Sequence, residues 1–86
     1  MREIRWDPLK DEHLRRMRGL SFEELLSGEF ITIIRHTHKT HQDVMLFKYE
    51  EYVWMIPYVE DEKGFFLKTL YPSRKYTKKY REGKLL

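Results

Sequence analysis

Residues 43–59 read DVMLFKYEEYVWMIPYV, two runs rich in β-branched and aromatic residues separated only by Glu50 and Glu51. A connection that short joins antiparallel strands, because parallel neighbours need a crossover of a dozen residues or more. GFFLKTLY follows the turn-forming EDEKG, so three consecutive strands with short links predict an antiparallel meander. Pro57 lacks an N–H and is expected at a bulge or an unpaired edge position. Before the meander, EFITIIRH is a further β-branched run.

The N-terminal third has a different pattern. EIRWD reads as a short strand, and Asp7–Pro8 is a helix start with Asp as N-cap and Pro at the first helical position. Leu9, His13, Leu14 and Met17 recur at helical spacing and predict one apolar stripe, which Gly19 ends. In LSFEELLSG, Ser21 and Glu24 form a capping box, Leu20 and Leu25 a hydrophobic staple, and Gly28 the stop. At the other end Pro72–Ser73 leads into a terminal helix with Ser73 as N-cap. The predicted order is β-α-α-β-β-β-α. It describes an α+β domain with an antiparallel sheet of about four strands, two N-terminal helices on one face and a C-terminal helix. At 86 residues, 1–86 is read as a single domain.

Composition removes several classes. There is no cysteine, hence no disulfide framework and no thiolate metal site. The charged start MREIRWDPLK has no apolar core, and no apolar run approaches the length of a membrane span. A cytoplasmic protein that makes no use of a membrane is the expectation. Charge is distributed unevenly: residues 1–62 hold nine Lys/Arg against thirteen Asp/Glu, and residues 63–86 hold eight against one. An acidic body with a basic end suits a polyanion or an acidic protein partner.

Two stretches carry candidate chemistry. In RHTHKTH, residues 35–41, His36 and His38 share a face if the segment is extended, but no further ligand has diagnostic metal spacing. His38 and His41 read as loop residues, whereas His36, at a strand end, can exchange a proton near neutrality. The second stretch is KTLYPSRK, residues 68–75. Strand alternation separates Lys68 from Tyr71, and Lys68 reads equally as a snorkelling strand lysine or a functional cation. Arg74 and Lys75 occupy the first turn of a helix, where the macrodipole disfavours cations unless an anion binds there. Tyr76 and Tyr80 lie four apart and read as core-facing, with Lys78, Lys79 and Arg81 around them. Trp6 and Trp54 read as core. Phosphate loops and serine-hydrolase motifs are missing.

Both ends of the chain resemble a known family. IRWDPLKDEHLRRMRGLSFEELL is similar to the opening of BrnT-type toxins, and FFLKTLYPSRKYTKKY resembles the Lys-Thr-x-x-Pro-Ser-Arg-Lys ending of a related toxin-like branch. The resemblance spans nearly the whole chain, and departs from the family at THKTHQ and at the Glu50–Glu51 turn. It implies a RelE-like fold and the toxin of a type II toxin–antitoxin system. The implied activity is a metal-independent endoribonuclease without a cofactor. A cognate antitoxin, usually a ribbon-helix-helix protein, would pair with it as a hetero-oligomer. On this reading the RNA 2′-OH attacks the adjacent phosphorus. Arg74 holds the phosphate oxygens, Lys68 and Lys75 add positive potential, His36 is general acid or base, and Tyr71 is a supplementary donor. Lys75, Tyr71, Lys78, Lys79 and Arg81 are the candidate RNA contacts. The competing expectations are a non-catalytic nucleic-acid- or ribosome-binding module, a protein-docking role for the basic end, and a metal-dependent activity.

Overall fold

The two-residue connection closes a hairpin as its length requires. β3 (Asp43–Tyr49) and β4 (Tyr52–Glu60) pair antiparallel from Tyr49↔Tyr52 to Asp43↔Tyr58. Glu50 takes up the left-handed conformation the tight turn needs, at φ 56°. The computed structural model describes residues 3–35 and 42–85. Among these, β2 (Glu29–Arg35) lies antiparallel on the outer side of β3, with a register shift between Phe30 and Thr32. On the other side of β4 lies β5 (Gly64–Leu67), also antiparallel.

The sheet is mixed rather than antiparallel throughout. β1 (Glu3–Trp6) pairs parallel with β5, giving the order β1-β5-β4-β3-β2. The approach is close, for a Cβ on Gly64 would run into the backbone of Glu3. GFFLKTLY also divides into β5 and a short β6 (Tyr71–Pro72), which pairs with Trp54 and Met55 of the same β4. Pro57 explains the division. Its carbonyl accepts the Lys68 N–H at 2.8 Å, but it has no N–H to return. Pairing therefore lapses over residues 68–70 and resumes beyond them. Six strands result among the described residues, where about four were expected.

Alternation along β3 and β4 sends side chains to two separate cores. Met45, Phe47, Ile56 and Tyr58 face Leu14, Leu20, Phe22 and Leu25 of the N-terminal helices α1 (Pro8–Arg18) and α2 (Phe22–Leu26). Val44, Leu46 and Val53 face the other way, against Tyr76 and Tyr80 of α3 (Arg74–Arg81). The two N-terminal helices thus cover one face, as predicted, and α3 packs on the opposite one. The caps are those the sequence indicated. Asp7 accepts the Leu9 N–H, Ser21 and Glu24 form their reciprocal box, Gly19 closes α1 at φ 73°, and Ser73 accepts the Tyr76 N–H.

α1 is rotated from its expected position. Of the predicted stripe only Leu14 is buried; Leu9 is 76% exposed and Met17 69%, with His13 also exposed. Asp11 accounts for the rotation. Its carboxylate accepts the Phe22 N–H at 2.8 Å, tethering α1 to the start of α2 and turning the Asp11–Leu14 side inward. The apolar spacing was genuine, but a polar tether decides which side is buried.

Candidate nucleic-acid interface

Helix α3 is fixed to the sheet by polar bonds as well as by its tyrosines. Val53 turns both backbone groups toward it: its carbonyl accepts the Ser73 N–H and its N–H donates to Thr77 Oγ1, both at 2.9 Å. Thr77 Oγ1 in turn donates to the Ser73 carbonyl at 2.6 Å, and Thr77 is buried. The start of the helix therefore completes the β4 ladder where β6 ends. Ordering the helix this way fixes where its charges point.

Arg74, Lys78 and Arg81 recur at helical spacing on the side flanking Thr77, and with Lys75 they line a groove of about 560 Å³. Among the described residues Glu82 is the one acid along it, and Tyr52 forms part of its wall. The first turn of α3 contains no acid. An anion near Arg74 would meet both the fork of the guanidinium and the positive end of the helix. Arg81 donates to the Glu51 carbonyl at 3.2 Å, drawing the end of the helix to the β3–β4 turn.

The predicted residues do not all converge there. Lys68 is exposed, and its ammonium lies 5.6 Å from the Phe66 ring centre, with Arg5 5.9 Å from the same ring. Asp61 holds that Arg5 through two bonds of 2.7 and 2.8 Å. Neither Lys68 nor Tyr71 lines the Arg74 groove. Half-buried Tyr71 on β6 lies within electrostatic reach of Arg18 and Tyr76. Burial pushes its phenol up from the ordinary value; Arg18 opposes the rise and Tyr76 adds to it. Lys75 and Lys79 both approach the Tyr76 ring, at 5.4 and 5.7 Å. His36, His38 and His41 lie outside the described residues.

Tyr76 and Tyr80 take the core-facing role expected of them. Tyr80 also donates to Glu29 at 3.1 Å, which together with burial raises its own phenol, and Lys48 lies over its ring at 5.8 Å. Two residues were missed, Tyr52 in the wall of this groove and Arg18 within electrostatic reach of Tyr71. Arg18 reads in sequence only as a cation ending α1, and Tyr52 only as the first aromatic of a strand. The signal that could have found Tyr52 is its position directly after the hairpin turn, at the end of the sheet.

Among the described residues no group of three His, Cys, Asp or Glu could hold a metal ion, and no helix is long and apolar enough to cross a membrane. Fold and site together define a small α+β domain with a mixed open sheet and a cationic groove. No family model matches the chain, and neither does any characterised protein or solved structure.

Proposed function

We propose that the protein is the toxin of a type II toxin–antitoxin pair, with a RelE-like fold. Its activity is a metal-independent endoribonuclease that cleaves RNA through attack of the 2′-OH on the adjacent phosphate. The observation that carries this is the line of Arg74, Lys78 and Arg81 along one groove, starting at a helix terminus free of acids. Such a surface suits a phosphodiester backbone. Arg74 holds the non-bridging oxygens as charge develops on them, and Lys75 adds positive potential. Tyr71, a protonated phenol at neutral pH, serves as a supplementary donor, and His36 as acid or base. Lys68 contributes positive potential at the approach, and Lys78, Lys79 and Arg81 hold the flanking strand. A ribbon-helix-helix antitoxin is the proposed partner and inhibitor in a cytoplasmic hetero-oligomer.

The separation of Lys68 and Tyr71 from the Arg74 groove favours one second reading, a nucleic-acid- or ribosome-binding module without chemistry. One experiment divides the two. Purified protein is incubated with RNA in EDTA beside Arg74→Ala, and the RNA is sized. Cleavage by the native chain and not by the variant supports the nuclease. Intact RNA recovered from a salt-sensitive complex supports the binding module, and cleavage by both removes Arg74 from the mechanism.

A further inference from the structure

The Arg74 groove adjoins a second groove, of about 510 Å³, on the other side of the β3–β4 hairpin end. Tyr52 and Arg81 line both, forming the saddle between them. The linings of the two grooves differ in kind. The first has Arg74, Lys75, Lys78 and Arg81 against Glu82, a surplus of positive charge. The second has Arg18 and Arg81 against Glu24, Glu50 and Glu51, and adds the aromatic residues Tyr49 and Trp54 to Tyr52. A phosphate is drawn to the first and repelled from the second. A nucleobase, flat and uncharged with N–H groups on its edge, suits the second, where rings offer stacking and carboxylates can accept.

We propose that the Tyr52–Arg81 saddle is a nucleotide subsite for single-stranded RNA. The backbone follows Arg74, Lys78 and Arg81 along α3, and one base turns over the saddle to stack on Tyr52. This rests on the reading of the α3 groove as an RNA surface and gives that surface a direction. Arg74 and Lys78 are one helical turn apart, about 6 Å along the axis, a step comparable to one nucleotide of backbone. Arg81 spends one N–H on the Glu51 carbonyl and keeps the others for a phosphate. Because stacking needs an unpaired base, the subsite selects single strands over duplex.

Trp54 lines the second groove and provides a reporter. In a Trp6→Phe chain it is the sole indole, and anisotropy of a labelled oligonucleotide gives the same affinities with Trp6 retained. The probe is a 2′-O-methyl RNA hexamer, which has no free 2′-OH and survives binding, beside the same hexamer with one central abasic site. Binding is expected to change Trp54 emission. Tyr52→Ala should weaken it about 5- to 150-fold and Tyr52→Phe little. The abasic hexamer should bind more weakly to the Tyr52 chain and no differently to Tyr52→Ala. Equal affinity of Tyr52→Ala and the Tyr52 chain, an abasic penalty that ignores residue 52, or duplex bound as tightly as single strand each overturns the subsite. Cleavage lost in Arg74→Ala but unaffected at Tyr52 overturns the subsite alone. Tyr52-dependent binding with no cleavage overturns the nuclease alone.

Discussion

Thr77 Oγ1 stands 2.9 Å from the amide nitrogen of Val53, and this buried bond joins the basic helix to the central hairpin. It sits directly beneath the groove that Arg74 and Lys78 line. Thr77→Val keeps the shape and removes the acceptor, leaving a buried N–H without a partner. The expected cost is about 1–3 kcal/mol in denaturant unfolding. Thr77→Ser should retain most of the stability, since it keeps the oxygen. If Thr77→Val matches the parent chain, the bond does not hold α3 in place.

Arg74→Ala is expected to lower RNA cleavage by about 10²–10³-fold, the size of one lost oxyanion contact. Arg74 is exposed and its charge stands against the helix dipole, so circular dichroism should be unchanged and the unfolding midpoint unchanged or slightly raised. Lys78→Ala should act differently, weakening RNA binding uniformly across sequences and reducing the salt slope by about one. Kinetics and binding measured over a salt series separate the two.

Asp61 supplies an acid-sensitive element away from this surface. The hydrogen bond from Arg5 is the main reason its carboxyl titrates below its ordinary value; partial burial opposes it, and the Lys63 and Gly64 amides and the Arg5 charge lower it further. A depressed carboxyl stabilises the fold above its unfolded pKa, and the stability is lost as pH falls through the folded value. The window therefore opens below about pH 4. Asp61→Asn should flatten this part of the curve of stability against pH and leave the neutral-to-alkaline part parallel to the parent. A parent curve with no acid loss that Asp61→Asn removes would exclude the linkage.

Tyr71 is predicted to act at the opposite extreme. A phenol keeps its proton through neutrality in any case; burial raises this one, so whatever it donates persists beyond the ordinary tyrosine value near 10. Stability linked to it is complete below that value and falls as pH rises through the folded pKa. Tyr71→Phe should remove part of the alkaline loss seen in unfolding. If the phenol also serves the reaction, the variant lowers cleavage at pH 7 as well, without moving the acid limb of the profile.

What was legible in the sequence was local. Asp7, Ser21 with Glu24, and Ser73 cap their helices because a cap depends on residues two or three positions away. The β3–β4 hairpin was legible because two residues leave the chain few ways to turn. The parallel pairing of β1 with β5 was not, since nothing in EIRW specifies a partner beyond residue 60. The rotation of α1 was hidden for a related reason. An acid in the first turn reads as a dipole-complementing charge, while its bond to Phe22 exists only after the two helices meet. In the site, charge and helical position singled out Arg74. That Lys68 does not line the groove is not disclosed by its spacing along the chain: its N–H is held by the Pro57 carbonyl and its ammonium lies near the Phe66 ring.

The pairing of Glu3 with Gly64 also has a consequence in time. The β2–β3–β4 meander can zip from its own turn, because its partners are near neighbours in sequence. β1 can dock only after β5 exists, closing a loop that contains both helices and three strands, and such non-local closures are slow. During synthesis β1 is made well before β5 and is thus among the last of these strands to find its place. Until it does, the β5 edge stands open to strands from other chains, so the yield of soluble protein will depend on how quickly four N-terminal residues return to it.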